Sequence, residues 1–104
     1  GDALLVKIGG ILQRNTRETD VVGRWGGEEF MIICPHTEQD GAATLAEKLR
    51  GLIEQQASGP GGPTTASFGV TTGRPGDQGQ DLVMRADGAL YDAKHAGRNR
   101  VAVR

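Results

Sequence analysis

Apolar residues recur every three or four positions in three segments of the chain, which is the spacing of one face of an α-helix. The segments are residues 2–15, 38–56 and 81–96. Asp2 is suited to cap the first helix, and Gly97 is typical of the residue that follows a helix end. The pattern therefore predicts three amphipathic helices.

Shorter runs rich in β-branched and aromatic residues lie between these helices. Two of them, residues 21–25 and 28–34, are separated by Gly26 and Gly27. Two glycines between two such runs indicate a tight hairpin, because the favoured turns need positive φ values that glycine adopts at no steric cost.

Two more strands are predicted at residues 64–72 and 101–103, with Gly69 marking a bulge or a close backbone approach. Residues 58–63 and 73–80 are rich in glycine and proline, which favours loops. The order helix, hairpin, helix, strand, helix, strand predicts a single α/β domain. In it, helices would cover a mixed or antiparallel sheet.

Composition excludes several classes of partner. The 104 residues carry 12 basic and 13 acidic side chains, a formal net charge of -1, so no general attraction to nucleic acid or to an anionic membrane is expected. No apolar run approaches the roughly 18 residues of a membrane span. The single cysteine, Cys34, excludes an internal disulfide and fits a reducing cytoplasm.

The predicted hairpin tip carries the first candidate chemistry. Gly26 and Gly27 would let phosphates approach the backbone, and the carboxylates of Glu28 and Glu29 are hard oxygen ligands suited to Mg²⁺. Neighbouring residues of a regular strand point to opposite faces, so both would reach one metal only at a twisted tip. A solvated hairpin end is the alternative, and the pattern alone favours it.

Two further pairs could bind a nucleotide. Lys94 and Arg98 are four residues apart near the end of the third predicted helix, where they would share a face and could clamp a polyphosphate. Cations that complement the helix C-terminus are the alternative. Arg17 and Asp20 could bind a guanine edge, although such pairs are frequent on polar loops.

Four segments, in the order GDALL, RETD, GGEEF and ALYDAKHAGRNRV, together resemble the GGDEF-domain diguanylate cyclases. The segment SFGV adds weaker support. GGEEF is an accepted active variant in that family. The resemblance implies a nucleotidyl-cyclase-like palm fold, with a central mixed, mostly antiparallel sheet flanked by helices. It also implies condensation of two GTP molecules into cyclic di-GMP, with release of pyrophosphate and with Mg²⁺ or Mn²⁺ as cofactor. Because the product is symmetric and each domain has one GTP site, the resemblance also implies that catalysis takes place in a homodimer.

The resemblance also implies roles for the hairpin residues. Glu28 and Glu29 match the family's metal-binding and catalytic acids, and Glu28 matches its proposed base for the attacking 3′-hydroxyl. Gly26 and Gly27 match the turn that lies against GTP.

Residues outside the hairpin match further family positions. Lys94 and Arg98 match the cations that hold the triphosphate, and Asp2 matches the aspartate that recognises guanine. Arg17 and Asp20 stand at the position of the family's inhibitory site for its product, cyclic di-GMP.

The family's domain begins a strand, a helix and a second strand before the segment that Gly1 matches. Those elements supply a further metal-binding aspartate and a guanine-binding asparagine. We therefore expect residues 1–104 to be the C-terminal two-thirds of one GGDEF domain in a longer bacterial protein, and to be inactive alone. A catalytically inactive receptor for cyclic di-GMP or GTP is the alternative, and a scaffold domain is a third; the unaltered GGEEF favours the enzyme.

Overall fold

The computed structural model describes the backbone of residues 2–104 and the side chains of residues 3–104. Within that part of the chain there are three α-helices: α1 (Asp2–Arg14), α2 (Gln39–Gln56) and α3 (Gly79–His95). The strands of the same part are β1 (Val21–Gly26), β2 (Glu29–Ile33), β3 (Ser58–Gly59), β4 (Gly62–Pro63), β5 (Phe68–Val70) and β6 (Val101–Val103). The predicted helices, hairpin and final strand are confirmed. Over residues 2–104, no helix combines the length and the hydropathy needed to cross a bilayer.

Two predictions between α2 and α3 were wrong. Residues 58–63 form a small antiparallel ladder, β3 with β4, where a loop was expected. The strand predicted over residues 64–72 is only the three residues of β5, because its partner β6 also has three. Before β5, the N–H group of Thr64 donates to the carbonyl of Ala57 at 2.9 Å, so that end of the segment bonds elsewhere.

The strands of residues 2–104 form three separate ladders, where one central sheet was expected. The hairpin β1–β2 and the pair β3–β4 are antiparallel, and β5–β6 is parallel with α3 as its crossover. Within residues 2–104, no strand pairing joins one of these ladders to another. The α/β class with flanking helices is confirmed.

The main core lies between α1 and α2 and is closed by one face of the hairpin. Ile11 of α1 and Leu49 and Ile53 of α2 are fully buried there. Strand alternation places Val22, Phe30 and Ile32 on this core. Because one hairpin face packs on this core, the core positions the two strands that lead to the turn at Gly27.

A second contact joins β5 to α3. A Cβ atom built on Gly69 would lie 2.3 Å from the backbone nitrogen of Leu90 and 2.4 Å from the carbonyl oxygen of Ala86. The buried Ala89 and Ala93 keep this face of α3 thin. The predicted close approach at Gly69 is confirmed, and it packs the middle of α3 against β5.

Candidate functional site

The hairpin turn lies one residue later than predicted. Gly26 still belongs to β1 and pairs with Glu29, so the turn consists of Gly27 and Glu28. Gly27 has φ of +53°, a conformation that side chains other than glycine seldom adopt. No atom lies within 4 Å of a Cβ built on Gly26 or Gly27. The backbone at the tip is therefore open to a ligand.

The two glutamates occupy different environments. Glu28 is exposed in the turn, whereas Glu29 is half-buried at the start of β2. The register shifts between Arg24 and Gly26, so the ladder is irregular just before the turn. Because Glu28 is outside the strand, the rule that neighbouring strand residues point to opposite faces does not separate the two carboxylates.

Arg24 stabilises the tip, a role that was not predicted from the sequence. Its guanidinium donates a hydrogen bond to the carbonyl of Gly27 and lies over the ring of Phe30, 5.5 Å from the ring centroid. The only signal in the sequence was an arginine shortly before two glycines. The contact ties the turn to a residue that packs on the core.

Lys94 meets the hairpin. Its Nζ lies 3.8 Å from Oε2 of Glu29, and both side chains are partly exposed. The ion pair links the last turn of α3 to the start of β2. The structure therefore brings together one predicted acid and one predicted cation that are far apart in the sequence.

Arg98 does not share a helical face with Lys94, so that prediction was wrong. Helix α3 ends at His95 with Ala96 as its C-cap, and the N–H group of Arg98 donates to the carbonyl of Ala93 at 3.0 Å. Arg98 itself lies in a left-handed turn with φ of 62°. Its position relative to Lys94 depends on that turn and not on helical periodicity.

The acids of the hairpin fit a site for a divalent ion that is completed by substrate. No group of three or more His, Cys, Asp or Glu side chains in residues 3–104 is arranged to hold a metal. Mg²⁺ is commonly held by one or two carboxylates together with phosphate oxygens, so Glu28 and Glu29 form a suitable donor set. The side chain of Asp2, the predicted guanine ligand, lies outside the described residues.

Asp20 is buried and bonded to Arg17. Its side chain is 1% exposed, and it accepts hydrogen bonds from the backbone N–H of Arg17 at 2.9 Å and from Nη2 of Arg17 at 3.4 Å. The hydrogen bond from that N–H group is the main reason that the pKa of Asp20 is lowered. Asp20 therefore stabilises the turn over residues 17–20. Arg17 is the member of the pair that a ligand can reach, because its side chain is 60% exposed.

An open cleft of about 500 Å³ lies beside this pair, between the end of α1, the following loop and α2. Two cations that were not identified from the sequence line it, Arg14 and Lys48. Their helical segments were predicted, but nothing local indicated that they would converge. The lining residues are Arg14, Asn15, Thr16, Arg17, Asp20, Thr37, Gly41, Leu45 and Lys48.

Comparison with known proteins adds to this geometry. The family model described as "Diguanylate cyclase, GGDEF domain" matches residues 1–100. The chain belongs to the GGDEF-domain family. Proteins of this family generally use a divalent metal ion, which agrees with the acids at the hairpin tip.

The GGDEF chain is similar to named cyclases. It is 43% identical to diguanylate cyclase VdcA of Vibrio cholerae, in an alignment that covers 97% of this chain and 32% of VdcA. It thus spans about a third of that relative's length.

Two solved structures share its fold. Diguanylate cyclase SiaD of Pseudomonas aeruginosa, in complex with its activator SiaC, is 39% identical with a TM-score of 0.90; the match covers 99% of this chain and 41% of SiaD. The GGDEF domain of DgcB from Caulobacter crescentus, in complex with c-di-GMP, is 30% identical with a TM-score of 0.91, and 98% of this chain and 63% of that one are covered.

Proposed function

We propose that this GGDEF chain is part of a diguanylate cyclase that condenses two GTP molecules into cyclic di-GMP and releases pyrophosphate. The contact between Glu29 and Lys94 is the observation that carries this proposal. It joins an acid of the hairpin to a cation of the ALYDAKHAGRNRV segment at 3.8 Å. These are the two parts that a metal-nucleotide complex would need on opposite sides of its phosphates.

Glu28 and Glu29 would hold the divalent ion, Mg²⁺ or Mn²⁺, which when bound supplies positive charge that offsets the charge of the triphosphate. Lys94 and Arg98 would bind phosphate oxygens. The pair between Lys94 and Glu29 is partly exposed, so it contributes little to stability and exchanges readily for contacts with a nucleotide.

Glu28 would accept the proton of the 3′-hydroxyl that attacks the α-phosphate of the other GTP. Its exposed position in the turn leaves its carboxylate accessible to a substrate held opposite. Gly27, without a side chain, would let the nucleotide lie close to the turn backbone. The main contribution of the protein is then the positioning of two substrates.

The active form would be a homodimer, because the product is symmetric and each domain contributes one GTP. We further propose that residues 1–104 act as the C-terminal two-thirds of a single domain within a longer cytoplasmic protein, without direct contacts to nucleic acid or membrane, and that they are inactive alone. The separate ladders β1–β2 and β5–β6 support this, since a further strand between them would complete a sheet.

The cleft beside Arg17 would be an inhibitory site for the product. Cyclic di-GMP carries two phosphates and two guanines, and the cleft combines the cations Arg14, Arg17 and Lys48. Arg17 would contact the guanine edge or a phosphate, and Asp20 would hold Arg17 in place. The relative DgcB, solved in complex with c-di-GMP, supports binding of this nucleotide within the family.

The test uses the full-length protein with GTP and Mg²⁺, measuring pyrophosphate and cyclic di-GMP. The unaltered protein is expected to turn over, and Glu29→Ala is expected to lower the rate by at least about a hundredfold, the scale of losing one group that stabilises transition-state charge. Glu38→Ala is the control, because Glu38 is exposed and its side chain makes no cap hydrogen bond to α2. Equal rates in the two variants would contradict the proposal.

The second candidate is a receptor that binds cyclic di-GMP without catalysis, and the cation-lined cleft is the observation that favours it. It predicts no turnover by the full-length protein and loss of cyclic di-GMP binding in Arg17→Ala. Titration calorimetry with cyclic di-GMP separates this function from the enzyme.

A further inference from the structure

The segment after α3 has an unusual backbone. Gly97, Arg98 and Asn99 have φ values of +126°, +62° and +48°, so three consecutive residues lie in the left-handed region. Glycine adopts this conformation freely, but arginine does not, and asparagine tolerates it only in part. Such a stretch persists when surrounding contacts determine it.

The side chain of Asn99 is bonded at both ends. Its Oδ1 accepts a hydrogen bond from Nη1 of Arg50 at 2.8 Å, and its Nδ2 donates to Oε2 of Glu54 at 2.9 Å. A guanidinium only donates and a carboxylate only accepts, so the partners fix the orientation of the amide. The backbone N–H of Asn99 also donates to Oγ of Ser67 at 3.1 Å.

Arg50 is itself held in place on α2. Its Nη2 lies 2.5 Å from Oε1 of Glu47 and its Nη1 lies 3.4 Å from Oε1 of Glu54. Its side chain is only 20% exposed. The guanidinium is therefore a rigid donor, and it connects the middle of α2 to the turn after α3 across 49 positions of the sequence.

Hydrogen bonds also hold the backbone of Arg98 and of the residues that follow it. The N–H group of Arg98 donates to Ala93, and the carbonyl of Arg98 accepts from Nε of Arg100 at 3.1 Å. The carbonyl of Arg100 then accepts from the N–H group of Phe68 at 2.9 Å. The backbone of Arg98 is thus fixed while its side chain is exposed.

We propose that Arg50 and Asn99 are positioning residues for Arg98: their hydrogen bond holds the left-handed turn that carries Arg98 just beyond the end of α3, from which Arg98 and Lys94 would both bind the GTP triphosphate. The proposal rests on the proposed function. It follows from the end of α3 at His95, because a residue beyond the helix has no position set by helical periodicity. The Arg50–Asn99 hydrogen bond, and not helical periodicity, would then set the position of Arg98 relative to Lys94.

The first experiment compares Asn99→Ala, Asn99→Gly and Arg50→Ala with the unaltered full-length protein. Each is expected to raise KM for GTP at least fivefold while kcat changes less than twofold, the pattern of lost binding shared by ground and transition states. Glycine adopts the left-handed conformation without the side-chain contacts. Normal KM in Asn99→Gly would therefore overturn the role assigned to those contacts.

A double-variant cycle separates positioning from general destabilisation. If Arg50 and Asn99 act through Arg98, adding Asn99→Ala to Arg98→Ala causes no further rise in KM. If the two substitutions instead raise KM independently, so that their fold-changes multiply in the double variant, the proposal is contradicted. The rates are measured at a temperature at which circular dichroism shows every variant to be folded.

Arg85→Ala is the matched control. Arg85 is as buried as Arg50 and pairs with Asp77, but it lies nine residues before Lys94, roughly 13 Å along the helix axis. Its loss is expected to lower stability and leave KM unchanged. A rise in KM equal to that of Asn99→Ala would show that destabilisation alone accounts for the effect, and would overturn the proposal.

The outcomes also distinguish failure of the proposed cyclase function from failure of the positioning role of Arg50 and Asn99. If the unaltered protein makes no cyclic di-GMP, the cyclase function fails, and the same variants are compared by titration calorimetry with a non-hydrolysable α,β-methylene GTP analogue and Mg²⁺. Weaker binding of the analogue in Asn99→Gly but not in Arg85→Ala would still support the positioning role of Arg50 and Asn99. Equal binding in all variants, or none in the unaltered protein, would overturn it.

Discussion

Gly69 shows how one missing side chain determines the approach of two elements. Its Cα faces the backbone of α3 so closely that the nearest atoms to an added methyl group are the main-chain atoms of Ala86 and Leu90. Backbone atoms of a helix cannot turn aside as a side chain can. The packing of β5 on α3 therefore requires glycine at this position.

Gly69→Ala in the full-length protein is expected to lower the free energy of unfolding by at least about 2 kcal/mol, through overpacking. Gly51→Ala is the control: Gly51 lies inside α2 with open space around its Cα, and alanine is the better helix former by up to about 1 kcal/mol. Urea unfolding measures both. Similar midpoints for the two variants would contradict the close contact between β5 and α3.

At the scale of the element, the first half of α3 is tied to the loop that precedes it. Gln78 and Asp81 form a capping box at its start. Arg85, one turn further on, binds Asp77 at 2.5 Å and the carbonyl of Thr72 at 2.9 Å, which ties the preceding loop to the helix. These contacts stabilise the first half of α3, far along the helix from Lys94 in its last turn.

The Asp77 pair predicts a dependence of stability on pH. Hydrogen bonds from Arg85 and then from the N–H group of Arg74 lower the pKa of Asp77. In the acid range the unfolded chain then binds the proton more readily than the folded one. The contribution of Asp77 is therefore complete above the ordinary aspartate pKa of about 3.9 and is lost as pH falls through the lower pKa of the folded state.

Asp77→Asn is therefore expected to destabilise the full-length protein at pH 7 and to make its stability fall less steeply between about pH 4 and pH 2. Thermal unfolding at a series of pH values measures this. Asp87→Asn is the control, since Asp87 is exposed on the same helix and forms no ion pair within residues 3–104. An unchanged acid slope in Asp77→Asn would contradict the assigned role of the pair.

At the scale of the whole molecule, the two candidate sites use different surfaces. The hairpin tip and the end of α3 meet through Glu29 and Lys94, whereas the cleft beside Arg17 lies between α1 and α2. The hairpin packs on the core that α1 and α2 form, through Phe30 among others. A product bound in the cleft would therefore contact the elements on which the hairpin packs.

Arg17→Ala is expected to raise the concentration of cyclic di-GMP that half-inhibits the full-length enzyme by at least about tenfold, the scale of losing one charge-assisted hydrogen bond. The initial rate without product is expected to stay the same. Arg74→Ala, which removes an exposed cation outside the cleft, is the control. Equal inhibition of both variants would show that Arg17 does not form the product site.

Local features of the sequence determined much of the fold. The apolar spacing located α1, α2 and α3 to within about two residues at each end, because a 3.6-residue period depends only on near neighbours. Two glycines located the hairpin for the same reason. The motifs also identified the family, since GGEEF and the segment with Lys94 and Arg98 stand in the order that its members share.

The remaining features depended on residues that meet only after folding. The short β5 is set by β6, and the cleft by the convergence of Arg14 and Lys48 from separate helices. The left-handed turn at Arg98 is set by Arg50, which is 49 positions from Asn99. The sequence by itself determined the three helices, the hairpin and the family. The tertiary structure alone decided how the candidate site is held, because its supporting hydrogen bonds join distant parts of the chain.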